Sequence, residues 1–249
     1  MGQSRAPSAS RGDFTVRLLP RLLIKHSPGS SDTPFFTKFI NLLMNDTTFM
    51  LDESVGKLYE VAEIQKKMAN TEEWLERPQA ERQDLDSQLR QMERYVPYFT
   101  KLADHNLALF KKFTIEAKGP FLTGEIVERL AAMLAYNLES LAGPRCSELK
   151  VKDMDKKWGF RPRDLLRDVM QVFINLSEEP DFIRAVATEG RSYSKETFMR
   201  AHKFAARYSL KSDKELTQFA LFVDKAEAMR VTIEEEDDFE DIPDEFLGQ

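Results

Sequence analysis

The sequence predicts an all-α protein, and three observations carry that prediction. Apolar residues recur three or four positions apart through every long segment, helix-capping residues stand where those segments begin, and only 10 Gly and 11 Pro interrupt 249 residues. No segment alternates apolar and polar residues in the manner of a strand.

Residues 1–31 differ in composition from the rest of the chain. They hold five Lys or Arg, one acid and frequent Ser, and a poorly ordered start is expected there. The composition is like a transit peptide, but Pro20 interrupts its one apolar stretch. A myristoylation signal fails because Ala6 stands where Ser or Thr is needed. Order is expected from Asp32-Thr33-Pro34, a cap followed by Pro at the first helical position, with Phe35, Phe36, Phe39, Ile40 and Leu43 as the apolar face. Asn45-Asp46-Thr47-Thr48 is expected to break that helix and cap the next, whose stripe is Leu51, Val55, Leu58 and Ala62.

Thr71 to Glu76 reads as a further helical turn before Pro78. From Gln79 to Ala117 a long pattern runs, with Leu85, Leu89, Met92, Val96, Phe99, Leu102, Leu109 and Phe113 near helical spacing. Pro97 removes one backbone hydrogen bond and is expected to kink it, and Gly119-Pro120 ends the element. The strongest helix comes next: Ile126, Leu130, Leu134, Leu138 and Leu141 form one face, while Ala131, Ala132, Met133 and Ala135 make the other apolar too. Such a helix needs neighbours on both sides. Thr123 is placed to cap it, and Gly143-Pro144 to stop it through a left-handed glycine and a proline that refuses further helix.

After a polar connector, Trp158-Gly159-Phe160 and Arg161-Pro162 lead into a helix carrying Leu165, Leu166, Val169, Val172, Phe173 and Leu176. Pro180 to Ala187 forms a short one ending by Gly190. Ser194 caps the helix of Phe198, Ala201 and Phe204. Ser212 with Glu215 is a capping box for the last helix, which buries Leu216, Phe219, Val223 and Ala226. Residues 231–249 hold nine acids and no Lys or Arg, a block expected to repel itself and stay extended. Set against the net charge of −6, this leaves 33 acids and 36 bases, +3, over the other 230 residues. The near-neutral body gives no concentrated basic surface for nucleic acid.

The strings RLAAML, NL, GPRC, LKV, WGF and P-x-x-LL succeed one another between Arg129 and Leu166, and FINLLMNDTTFMLDES runs from Phe39 to Ser54. Helix physics requires stripes and stops, not these strings in this order. Together with Arg191-Ser192-Tyr193-Ser194-Lys195-Glu196, they resemble the core region of the ubiquitin conjugation factor E4 family, the U-box ubiquitin ligases that extend ubiquitin chains. The resemblance implies an elongated armadillo-like helical superhelix for residues 32–230, although no fixed-period repeat is visible. It implies a role in polyubiquitin chain elongation in proteasomal degradation, including degradation from the endoplasmic reticulum, in cytoplasm and nucleus. The partners implied are a ubiquitin-conjugating enzyme recruited by the U-box, ubiquitylated substrates and an AAA-type segregase. Asp241 to Phe246 resembles the segment leading into the U-box. The chain stops three residues later, so the U-box is expected to be absent and the chain inactive on its own.

Chemistry is expected to be absent from the residues themselves: no catalytic residue, no cofactor site, no metal site. One Cys and three scattered His cannot build a four-ligand zinc site. The acidic tail lacks the Gly and spaced oxygens of a calcium loop, and no Gly-rich phosphate loop occurs. No run of about 18 apolar residues is present, so a membrane span is not expected. Cys146 can be read as a thioester nucleophile, which needs a base or a positive setting, or as a small buried residue after a helix end; its neighbourhood offers Arg145 and no His, and the second reading is preferred. His105 and His202 stand singly on helices and are read as structural or surface residues. Two further readings stay open: a non-catalytic helical binding scaffold, from a splice form or a fragmentary gene model, and a Cys146-dependent transferase.

Overall fold

A computed structural model describes residues 33–240, with side chains over 36–236. The expectations for residues 1–31, for Asp32 and Phe35, and for Asp241 to Phe246 lie outside the residues so described. Among the described residues there are nine α-helices and no strand: α1 Thr33–Ala69, α2 Thr71–Glu76, α3 Gln79–Glu116, α4 Gly124–Ala142, α5 Pro144–Ser147, α6 Pro162–Leu176, α7 Pro180–Thr188, α8 Lys195–Arg207 and α9 Asp213–Glu240. A 3-10 turn, Gly119–Leu122, joins α3 to α4.

α1 and α3 pack along each other as a long antiparallel pair. α4 is the central helix, in contact with α1, α6, α7 and α8, and α9 covers α6, α7 and α8. The expected two-sided burial of α4 results from this position: Ile126, Leu130, Leu134, Leu138 and Leu141 are buried on one face, Ala131, Met133 and Ala135 on the other.

Four local expectations are corrected. First, α1 does not break at Asn45 to Thr48. Thr47 is fully buried and its hydroxyl donates to the Leu43 carbonyl at 2.7 Å, so the residue stays inside the helix. The propensity cost of a Thr is under about 1 kcal/mol, whereas burying each of Leu43, Met44 and Leu51 around it contributes roughly 1.5–3 kcal/mol. Packing wins. Second, the apolar stripe read along α3, Gln79 to Glu116 with Pro97 inside it, is not buried throughout. Beyond Pro97 the buried positions are Thr100, Ala103, Leu107, Phe110 and Phe113, while Phe99, Leu102 and Leu109 are only half-buried. The stripe keeps its phase from Val96 because Thr100 turns its hydroxyl back to the Val96 carbonyl, 2.8 Å away, and occupies a core position.

Third, Gly143 ends α4 in extended rather than left-handed backbone, at φ −86° and ψ −176°. The glycine is needed for a different reason: a Cβ there would stand 2.6 Å from the Glu139 carbonyl oxygen. Fourth, α9 continues as helix through Val231 to Glu240 instead of becoming extended at residue 231. Its first half is anchored by the buried Leu216, Phe219, Phe222, Val223 and Ala226. Further turns therefore need only propagation, not a new nucleus, and Arg230 pairs with Glu234 at 3.0 Å.

The remaining caps form largely as read. Thr197 N–H donates to Ser194 Oγ at 3.1 Å. Ser212 and Glu215 make both bonds of the capping box, at 2.9 and 3.4 Å. Thr123 stands at the N-cap of α4, but its hydroxyl donates to the Pro120 carbonyl at 3.2 Å instead of capping.

Candidate functional site

The two stretches with the most specific strings, Phe39 to Ser54 and Arg129 to Leu166, meet where α1, α4 and α5 converge. The abrupt turn at Gly143 sends Pro144 straight into α5, and Arg145 reaches back across to α1. Its Nη1 lies 2.7 Å from Asp52 Oδ1. Tyr136 of α4 donates to the same carboxylate, 2.9 Å from either oxygen, and Arg145 Nη1 also donates to the Tyr136 hydroxyl at 3.2 Å. Tyr59 of α1 closes the clasp, its hydroxyl donating to the Arg145 carbonyl at 2.7 Å. Burial, and then the Asp52 carboxylate, push the Tyr136 phenol above its usual range. Burial pulls the Arg145 guanidinium down, but Tyr136 and Asp52 outweigh it and hold the charge more firmly than usual.

Cys146 comes directly after and is buried. Burial pushes its thiol up to about 11, and Arg145 offsets only part of that. A catalytic thiol needs the opposite shift. The adjacent guanidinium is already committed to Asp52, and Sγ has no hydrogen-bond partner among the described residues. His105 is exposed on α3 and His202 half-buried on α8, neither bonded to Cys146. Among the described residues no three His, Cys, Asp or Glu gather as a metal site would require. The clasp ties α1, α4 and α5 together through Asp52, Tyr59, Tyr136 and Arg145.

The Trp158-Gly159-Phe160 string ties the connector to α3. Both aromatic side chains are buried, and Gly159 supplies the φ of +65° that lets the chain turn between them. Trp158 Nε1–H donates to the Lys152 carbonyl at 3.1 Å, and Lys157 pairs with Glu93 at 2.7 Å.

Sequence reading missed two features. The first is Lys211, whose side chain is only 5% exposed between Gln171 and Glu215, 3.2 Å from the latter; burial lowers its pKa, and Glu215 offsets part of that. The second is an aromatic surface on the outer side of the α1–α3 pair. Phe99 contacts Phe49, Tyr95 and Tyr98 with centroids 6.1, 6.3 and 5.7 Å away. Phe49, Tyr95 and Tyr98 are 55%, 49% and 61% exposed. The available signal was their phase: Tyr95 and Tyr98 flank the Val96 stripe instead of lying on it.

The arrangement as a whole is a set of helical surfaces tied by buried aromatics, and similarity to known proteins agrees with that reading. A family model described as the ubiquitin elongating factor core matches residues 23–227. The chain belongs to that family. This elongating-factor core is similar to the ubiquitin conjugation factor E4 of Schizosaccharomyces pombe, with 41% identity over 218 residues covering 87% of this chain and 21% of that protein. It is similar to the E4 ubiquitin-protein ligase UFD2 of Saccharomyces cerevisiae, with 42% identity over 229 residues, 90% of this chain and 23% of that protein. A probable ubiquitin conjugation factor E4 of Arabidopsis thaliana is 34% identical over 216 residues, 85% of this chain and 21% of that protein. The chain thus spans about a fifth of the length of the curated relatives it matches. The family match begins ahead of α1 and ends inside α9, so the acidic stretch from residue 231 lies beyond it.

Proposed function

We propose that this elongating-factor core supports polyubiquitin chain elongation by holding substrate and partners in position, contributing no reacting group of its own. The observation that carries the reading is the state of Cys146. The chain's one thiol is buried, pushed up to about 11 and next to a cation that Asp52 already holds, in a protein of the elongating-factor family. Transfer then goes directly from a charged ubiquitin-conjugating enzyme to the acceptor. The core acts by proximity, which converts a bimolecular encounter into a local one.

The partners in this reading are a conjugating enzyme brought by a U-box, ubiquitylated substrates and an AAA-type segregase, in cytoplasm and nucleus, in the service of proteasomal degradation. Among the described residues no helix is long and apolar enough to cross a membrane, which supports action away from the bilayer core. The test is a fusion in which a U-box comes after Phe246. Chain extension by the fusion should exceed that of the U-box by itself, and equal rates for the two would remove the positioning role.

A further inference from the structure

The near-neutral total conceals one strongly positive segment. Residues 195–214, which carry α8 and the start of α9, hold Lys195, Arg200, Lys203, Arg207, Lys211 and Lys214 against Glu196 and Asp213. Part of that charge is satisfied within the molecule: Lys195 pairs with Asp224 at 3.5 Å, Arg200 with Glu196 at 3.0 Å and Lys211 with Glu215 at 3.2 Å. Lys203 and Arg207, one turn apart on α8, are exposed and make no ion pair among the described residues. Arg163, at the start of α6, is in the same state.

A single ring gathers the two guanidinium groups. That of Arg163 lies 3.8 Å and that of Arg207 5.6 Å from the centroid of Tyr208, drawn by the negative face of the ring. Tyr208 is itself held in place. Phe204 contacts it with centroids 4.6 Å apart, and Ser209 takes left-handed backbone, φ +51°, so that the Leu210 N–H closes the end of α8 on the Ala205 carbonyl at 2.9 Å. Asp164, next to Arg163 in sequence, is already held by Arg161 and Arg167 at 3.4 and 2.9 Å. Two like charges brought to one ring without a carboxylate repel each other, and an anion from outside relieves that repulsion. Neither end of this chain supplies the anion. Residues 1–31 hold five Lys or Arg and one acid, the same sign as the patch. The Lys195–Asp224 pair sets α8 antiparallel to α9, with Arg207 at the start of α9. Glu240 is therefore about 40 Å away along that helix, and residues 241–249 at full extension span no more than about 32 Å.

We propose that Arg163, Lys203, Arg207 and Tyr208 form a docking surface for a carboxylate-rich segment of a partner protein, with an aromatic or aliphatic side chain beside its acids. Guanidinium forks accept carboxylates in a bidentate manner, Lys203 takes a further one a turn away, and the half-buried Phe204 and Tyr208 rings give the apolar side chain a platform. The cations are spread over a helical turn and an adjoining helix instead of converging on one point, which suits several carboxylates better than one phosphate. A nucleic acid needs the positive track to continue, whereas the next turn of α8 is neutralised by the Arg200–Glu196 pair. The surface shares no residue with the Asp52–Arg145 clasp and does not depend on any part in ubiquitin transfer.

The test is fluorescence anisotropy of the native chain with a labelled peptide of repeated Glu-Glu-Phe units, beside a Gln-Gln-Phe peptide and a labelled single-stranded DNA. The net charge of −6 opposes any acidic probe, so binding of the Glu peptide requires a local cationic surface. Binding should weaken on the order of tenfold in Arg163→Gln/Arg207→Gln and stay within about twofold in Arg200→Gln, whose charge Glu196 already holds. Lys203→Gln, which leaves the Tyr208 contacts intact, should weaken it by about threefold, with the thermal midpoint unchanged. Binding no tighter than that of the Gln peptide would overturn the proposal, and so would equal losses in Arg200→Gln and the double variant. DNA bound as tightly as the Glu peptide and released by the double variant would overturn it in favour of a nucleic acid. Concentration-dependent self-association abolished by the same variant would overturn it in favour of a second copy.

Discussion

Two aromatic clusters, each built around one phenylalanine, divide this molecule. At the α6–α9 end Phe173 contacts Phe182, Phe198, Phe219 and Phe222, with centroids between 5.1 and 6.1 Å, and all five rings are essentially inaccessible. At the α1–α3 side Phe99 gathers three rings at similar distances, and those three stay about half exposed. The chemistry of the two is alike; their environment is not. The first is closed because three helices wrap it, with α9 as the lid. The second is open because, among the described residues, α1 and α3 pack on their inner sides only. Ring contacts contribute about 0.5–1.5 kcal/mol beyond area burial, and the closed cluster adds the burial of five whole rings to that, so it carries more of the stability than the open one.

The strongest way to break this contrast is to damage the helix both sides share. Leu134→Asp puts an unpaired charge at a fully buried position of α4, and it should cost about 5 kcal/mol, enough to unfold the chain. Glu139→Gln on the exposed side of the same helix should stay within about 0.5 kcal/mol. Equal thermal shifts for these two would show the buried face of α4 misassigned.

Smaller cuts separate the clusters. Phe173→Ala should cost about 3–5 kcal/mol, since it empties the centre of a closed core, and Phe99→Ala under about 2 kcal/mol. Urea denaturation of both variants reads the difference directly, and a similar loss for each would mean that the outer cluster is buried in solution.

The smallest effect is a pH dependence at Cys146. An unfolded thiol ionises near 8.5, whereas the folded one is held protonated up to about 11. Above the lower value the unfolded state binds fewer protons, so this contribution to stability is complete below about pH 8.5 and is lost as pH rises towards 11. Cys146→Ala should flatten that part of the stability profile. Alkylation of the native chain at neutral pH should also be far slower than of the unfolded chain.

Much of the fold was legible in the residues. The two-faced pattern of α4, the Ser194 cap and the Ser212–Glu215 box all depend on neighbours within one turn, and the structure makes them as the spacing indicates. Where reading went astray, a distant contact had overridden a local signal. Thr47 and Thr100 look like helix breakers or surface residues, yet each returns its hydroxyl to the preceding turn and sits in the core between α1 and α3. Gly143 was legible as a stop but not for its cause, which is the Glu139 carbonyl lying where a side chain would go. The clasp was not legible at all, because Asp52 and Arg145 are 93 residues apart and nothing in either string points to the other.

The central claim is that this core positions reactants and performs no transfer itself. The direct measurement is single-turnover discharge of a ubiquitin-charged conjugating enzyme in the presence of the native chain and, side by side, of Cys146→Ser. The account predicts no acceleration over the enzyme's own discharge with either protein. Discharge accelerated by the native chain and abolished in Cys146→Ser would contradict it and make the buried thiol the nucleophile.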